Sequence, residues 1–463
     1  MNTYDAMVSD DPNAAVPNGS ANPEKPESPS LAGAEAHDSM RGAVLICVTA
    51  TVAGAIMGFV GGVFRWLLEA SDRLRLQLVE WAHQLPGPGW LAPVAVAALG
   101  ASLAALVVRW EPLASGSGIQ HVEAVYRGQA PPPKIRLLPA KFLGGVLAIG
   151  SGLVLGREGP TVHMGAAIGA QAARNARLPD HEVRMMQTAL GGAGLAVAFN
   201  APIGGTLFTL EEVTRSFRVK TVLATVFAAS VAVGCSRLVL GDHSEFQLEP
   251  GVVEPELVWL PLFVVFGLLT GVLGAGYNRL VLLFLDHVAS VHRIPSAAKA
   301  ALIGAIIGLV MYIYPRAVGG GEELTEAILI GEKFLLSVIV GYLLLRFVAG
   351  PLSYSAPVVG GLFAPMLAVG ALWGIFFIEV VSLVWPGDIG FLAVPMAVVG
   401  MASFFGASVR APMTGMVLVL EMTASTAAIV PILAATASAV LVAYLVGSPP
   451  IYDSLRERSL SKY

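Results

Sequence analysis

From Gly42 onward, apolar runs long enough to cross a hydrocarbon layer of ~30 Å recur with only short breaks between them. The clearest are Gly42–Phe64, Leu91–Val108, Leu137–Leu155, Met185–Leu210, Thr221–Ser236, Leu257–Asn278, Ala300–Pro315 and Phe334–Leu345, followed by Phe347–Ile378, Ile389–Val409 and Met422–Tyr444. A soluble fold cannot hide so many. Only 13% of the 463 residues are charged and 55% are hydrophobic, about half the ~25% charge of soluble domains. The 51 glycines show no triplet period, which excludes collagen, and this hydrophobicity excludes general disorder. With 28 Lys+Arg against 32 Asp+Glu, the chain is no basic nucleic-acid binder. Cys47 and Cys235 lie inside apolar runs and read as small buried hydrophobes, without implying a compartment. The chain is therefore read as an all-α polytopic membrane protein.

Several runs are interrupted by Gly-Pro-type elements at Gly156–Pro160, Asn200–Pro202, Gly361–Pro365 and Arg410–Pro412. A helix broken within a bilayer frees backbone N–H groups that protein, water or a ligand must satisfy. Long tilted helices mixed with half-spanning ones are expected. Residues 1–40 are rich in Asp, Glu, Asn, Ser and Pro and predict a flexible polar tail, its last part from Leu31 suited to a surface helix. They lack the basic and apolar regions of a cleaved signal.

The interruptions repeat. Gly156-Arg-Glu-Gly-Pro160 with Gly165 and Gly169 matches Gly361-Leu-Phe-Ala-Pro365 with Gly370 and Gly374. Ala201-Pro202 through Glu211 matches Ala411-Pro412 through Glu421, and Gly116-Ser-Gly118 pairs more weakly with Gly319-Gly-Gly321. Three pairs in one order imply duplication of a helical half. This predicts a first membrane repeat at 41–240, a connecting loop at 241–256, a second repeat at 257–446 and a C-terminal segment at 447–463. Duplicated halves with matching broken segments point to a transporter whose site lies between them. Short helices starting at such breaks offer free N–H groups and positive dipole ends. Converging, they hold an anion weakly enough to release it, without a Lys or Arg at the ion itself.

Gly116-Ser-Gly-Ile-Gln120, Gly156-Arg-Glu-Gly-Pro160, Gly360-Gly-Leu-Phe-Ala-Pro365 and Tyr452 resemble the signature elements of the CLC family of chloride channels and chloride/proton exchangers. So do the stretches Gly194 to Glu212 and Ser408 to Glu421, and the resemblance runs from about Gly42 to Tyr463. It implies the CLC fold with inverted halves. It also implies a homodimer joined through roughly Ala201–Leu240 and Ala411–Leu445, and residence in a membrane, for this type the bacterial inner membrane. By the resemblance, Ser117 and Tyr452 touch a central anion through their hydroxyls, and Leu362 and Phe363 give it backbone N–H groups. Arg157, Glu158 and Gly159 form the outer anion loop. Glu158 matches the gating glutamate, whose carboxylate competes with the anion and swings away when protonated. Glu212 matches the inner glutamate of proton entry. Serine at 117 goes with chloride, where proline goes with nitrate.

The function this predicts is secondary active exchange of chloride for protons, with lipid, chloride and protons as the only other participants and no organic cofactor, ATP or metal. A passive chloride channel on the same fold is the alternative; Glu212 favours the exchanger. An intramembrane hydrolase built on Ser117 and His121 lacks an oxyanion device and a third partner, so no enzyme activity is expected. His163 reads as packing, while Arg410, Glu421, Glu123, Lys141 and Glu323 read as satisfying backbone, pairing internally or shaping the field. Departures from the pattern are Gln120, where proline is commoner, and a longer lead at Ala356–Val359. Regulation through paired cytoplasmic nucleotide-sensing domains is not expected, because no stretch corresponds to them.

Overall fold

The computed structural model describes residues 31–242, 244–248 and 254–461; of the tail predicted at 1–40, residues 1–30 lie outside them, while 31–40 are helical. Two compact units result, Met1–Ala43 and Val44–Tyr463. Of the first, residues 31–43 are the opening turns of helix α1 (Leu31–His83). The second holds α2 (Leu91–Trp110), α3 (Ile119–Tyr126), α4 (Leu137–Gly150), α5 (Glu158–Asn175), α6 (Asp180–Phe199), α7 (Pro202–Phe208) and α8 (Val219–Leu240). After the connecting loop come α9 (Leu260–Ser290), α10 (Ser296–Ile313), α11 (Glu322–Leu329), α12 (Leu336–Ser355), α13 (Phe363–Ser382), α14 (Ala393–Val409), α15 (Pro412–Thr423), α16 (Ile429–Leu445) and α17 (Ile451–Leu460). No strand occurs among the described residues, and eight of their helices are long and apolar enough to cross a membrane.

The apolar runs break where local chemistry demands it. Met185–Leu210 divides at Asn200 and Ile389–Val409 ends at Arg410, both left-handed (φ +53° and +64°). Each is followed by an Ala-Pro that restarts a helix with proline in the first turn, where its missing N–H costs nothing. Phe347–Ile378 splits at the non-helical residues Ala356–Leu362 into α12 and α13.

Both halves pack by one scheme. Within the first, α5 lies on α6 and α6 on α8; within the second, α13 lies on α14 and α14 on α16. Gly54 and Gly58 of α1 press on Ala228 and Ala232 of α8, as Gly267 and Gly271 of α9 press on Ala435 and Ala439 of α16. Any side chain at these glycines would meet the facing backbone; small residues are what let membrane helices approach so closely.

Between the halves the contacts are reciprocal. Glu211, just beyond α7, accepts the first-turn N–H groups of Met413 (3.1 Å) and Thr414 (2.6 Å) in α15. Glu421, near the end of α15, accepts those of Ile203 (3.0 Å) and Gly204 (2.6 Å) in α7. Equivalent residues cap each other's helices, as a two-fold relation requires.

Candidate anion site

Three helices start within one cluster of backbone. Gly116 and Gly118 take left-handed conformations (φ +64° and +95°) and turn the chain into α3. The Gly116 N–H donates to the Val358 carbonyl (2.8 Å), and its own carbonyl accepts the Gly360 N–H (3.2 Å). Gly156 and Gly361 each donate their N–H to the other's carbonyl at 2.8 Å. The loops that open α3, α5 and α13 are thus stapled together, and the first-turn N–H groups of a helix have no acceptor within it. Gly159 lies directly on Ser117, leaving no room for a Cβ.

Into this cluster project side chains with spare hydrogen-bonding capacity. Ser117 Oγ, Glu158 Oε1 and the Tyr452 hydroxyl are buried without a hydrogen-bond partner among the described residues. Glu158, the first residue of α5, reaches across to α13, where its Oε2 accepts the Ala364 N–H (3.3 Å). One carboxylate thereby sits at two helix N-termini, where negative charge is favoured. Leu362 and Phe363 open α13, and the Phe363 ring is walled by Phe405 (4.1 Å) and Phe199 (5.0 Å). Tyr452 arrives on α17, which packs on α3, and lies within electrostatic reach of Glu158 and Glu212.

The Arg157 guanidinium takes partners other than Glu158. It bonds the Ala198 carbonyl (3.2 Å) and pairs with Glu245 of the connecting loop, which also meets Arg65 at 2.8 Å. Phe246, the next residue of that loop, donates its N–H to the Met422 carbonyl (2.9 Å). The loop is therefore fastened to both halves at the end of the molecule that carries Arg157.

Two buried cations brace the glycine turns from behind. Lys141 Nζ donates to the carbonyls of Gly116 (2.7 Å) and Ser117 (3.0 Å). Arg346, its counterpart in the second half, donates to the carbonyls of Ala317, Val318, Gly319 and Gly320. Sequence reasoning passed over Arg346. The signal available was its place in α12, 205 residues after Lys141.

Glu211 and Glu212 part company on a single π turn, Thr209–Val213. Glu211 caps α15, whereas Glu212 is buried, its Oε1 unpartnered among the described residues. Arg215 pairs with Asp453 (2.8 Å) rather than with Glu212. Asp453 also meets Arg127 (3.3 Å) and Arg456, and Arg456 bonds the buried Glu123 (2.9 Å). Burial alone would raise the Asp453 carboxyl, but the hydrogen bonds from Arg215 and Arg456 prevail and hold it below the usual range.

Beside this network lies a cavity of about 680 Å³ lined by Gly116, Gly118, Gln120, His121, Lys299 and Arg458 among others. His121 bonds His163 (3.0 Å), and Ser117 Oγ has no bond to it. Among the described residues, no three His, Cys, Asp or Glu side chains gather as metal ligands.

The model of the family described as voltage gated chloride channel matches residues 99–444. The chain belongs to the CLC family. Among CLC proteins it is 36% identical over 425 residues to the H(+)/Cl(-) exchange transporter ClcA of Vibrio parahaemolyticus, covering 90% of each chain. It is 34% identical over 427 residues to that of Cronobacter sakazakii, again covering 90% of each. Its fold is similar to that of a slow cyanobacterial Cl-/H+ antiporter, with a TM-score of 0.84 at 30% identity over 90% of this chain and 98% of the other. A eukaryotic CLC transporter shares the fold alone, with a TM-score of 0.72 at 23% identity over 89% of this chain and 74% of that one. The chain is thus a multi-pass membrane protein with the CLC fold.

Proposed function

We propose that this protein is a secondary active transporter that exchanges chloride for protons across the bacterial inner membrane. One observation carries the reading: the Glu158 carboxylate occupies the N-termini of two helices beside Ser117. An anion drawn to those N–H groups competes with that carboxylate. Protonation removes the carboxylate's charge and its claim on the Ala364 N–H, so proton uptake and anion entry are linked at one place. Ser117, Tyr452 and the N–H groups of Leu362 and Phe363 hold the central chloride; the backbone of Arg157, Glu158 and Gly159 holds the outer one. The ligands are dipoles, so the ion is bound weakly enough to leave. Glu212 passes protons between Glu158 and the cytoplasm. Its neighbourhood faces inward by the positive-inside rule, since Arg127, Arg215, Arg456 and Arg458 crowd that end.

The ligand set needs no cofactor, and no step involves covalent chemistry. Two copies associate through α7, α8, α15 and α16. Ile203 and Met413, at the starts of the reciprocally capped helices, are 60% and 51% exposed, and Phe227 and Leu433 extend that apolar surface. A passive channel is the competing reading. Purified protein in liposomes separates the two: coupled exchange makes the reversal potential follow both the pH and chloride gradients, whereas a channel follows chloride alone.

A further inference from the structure

Behind Ser117 lies a polar pair that the exchange mechanism leaves unused. His121 Nδ1 and His163 Nε2 are 3.0 Å apart, with ring centroids separated by 5.0 Å. Pro131 lines the same cavity as His121. Two neutral imidazoles at this distance share one hydrogen, one ring donating it and the other accepting.

His163 is fully buried, and its ring lies flat against Gly118, where any side chain would strike it. The same turn is held from its other sides. Lys141 takes the carbonyls of Gly116 and Ser117, Gln120 Oε1 accepts the Gly118 N–H (3.2 Å), and Val358 accepts that of Gly116. Burial is the first obstacle to a charge on either ring, and the nearby Lys141 amine adds to it. Lys299 and Arg458 also line the cavity, and the Tyr354 hydroxyl lies against Gly116. The acids lie elsewhere: Glu123 is two residues from His121 and so on the opposite face of α3, where it meets Arg456 with Asp453.

We propose that His121 and His163 form a neutral positioning brace that holds the Gly116–Gly118 turn between α3 and α5, fixes Ser117 at the anion, and sets anion affinity without carrying the exchanged proton. The proposal rests on the reading of Ser117 as an anion ligand. It explains why the first turn of α3 carries Gln120 and His121: Gln120 bonds the Gly118 amide from one side, and His121 anchors the ring that covers Gly118 from the other.

The test uses purified full-length protein, with chloride binding measured by calorimetry and the chloride-to-proton ratio measured in liposomes. His121→Leu and His163→Leu are expected to weaken chloride binding about fivefold, the ratio expected from one lost hydrogen bond, with the coupling ratio unchanged. His163→Gln keeps a donor toward His121 and is expected to recover most of the affinity. Unchanged affinity in both leucine variants would reduce the pair to packing and overturn the brace. An altered coupling ratio would overturn it too, by placing the pair on the proton route. Should His163→Leu fail to fold, His121→Leu at the cavity rim still separates a brace from packing. Wild-type protein that binds no chloride overturns the ligand role of Ser117 itself; wild-type binding beside unaffected variants overturns only the brace.

Discussion

Gly156 and Gly361 exchange both of their backbone hydrogen bonds with each other, at 2.8 Å in each direction. They are equivalent residues of the two repeats, each beginning the Gly-x-x-x-Pro element of its half. Self-pairing of equivalent positions occurs only on a local two-fold axis, so that axis runs through the candidate anion site. The duplication therefore builds the site as well as the fold, since helices from both halves begin at it.

Glu158→Gln keeps the side chain's shape and removes its ionisation. The expected outcome is chloride flux with proton movement abolished. Paired chloride-electrode and pH-electrode traces from liposomes check this, and proton pumping at the wild-type ratio would contradict the gating role.

Glu212→Gln is expected to leave chloride flux but uncouple proton transport, so the reversal potential no longer responds to a pH gradient. Glu211→Gln should retain coupling and lose stability instead. Its carboxylate bonds the first turn of α15, and hydrogen bonds to charged groups contribute about 1.5–3 kcal/mol. Glu421→Gln should lower the melting temperature similarly, since it caps α7 in the same way.

Gly159→Ala drives a methyl group into Ser117. Overpacking of this kind costs about 1–3 kcal/mol, and here it also displaces an anion ligand. Calorimetry is expected to show chloride affinity reduced at least tenfold in protein that still purifies as a folded species.

Glu245→Gln breaks a buried arrangement in which one carboxylate serves Arg65 and Arg157. Removing one partner of a buried ion pair typically costs about 3–5 kcal/mol, because charge is left uncompensated. A fall in melting temperature is expected, with outer-side chloride affinity falling alongside it, because Arg157 immediately precedes Glu158.

Asp453 gives a pH signature. Its carboxyl is held below its usual range in the folded protein, so its contribution to stability is complete above the ordinary aspartate value of about 3.9 and is lost as pH falls through the lowered folded value. Asp453→Asn should therefore melt earlier than wild type at pH 7. The gap should close progressively in melts taken below pH 4. A gap independent of pH would assign the difference to something other than this carboxylate.

The sequence by itself determined the helical membrane class, the duplication, the breaks at Asn200 and Arg410, and the three glycine turns. Each of these follows from local requirements: an apolar span for the bilayer, a left-handed residue to stop a helix, proline to restart it, and a missing Cβ where backbone meets backbone. Tertiary structure alone decided which partner each polar group takes. Glu211 and Glu212 are adjacent and chemically identical, yet a π turn sends one to cap α15 and buries the other. Arg157 could have paired with its neighbour Glu158 and instead meets Glu245, while Lys141 and Arg346 each brace the glycine turn of their own half. Such choices are made by side chains tens to hundreds of residues apart in the chain and a few ångströms apart in space. No local propensity encodes that distance, so these pairings become visible only once the halves have folded against each other.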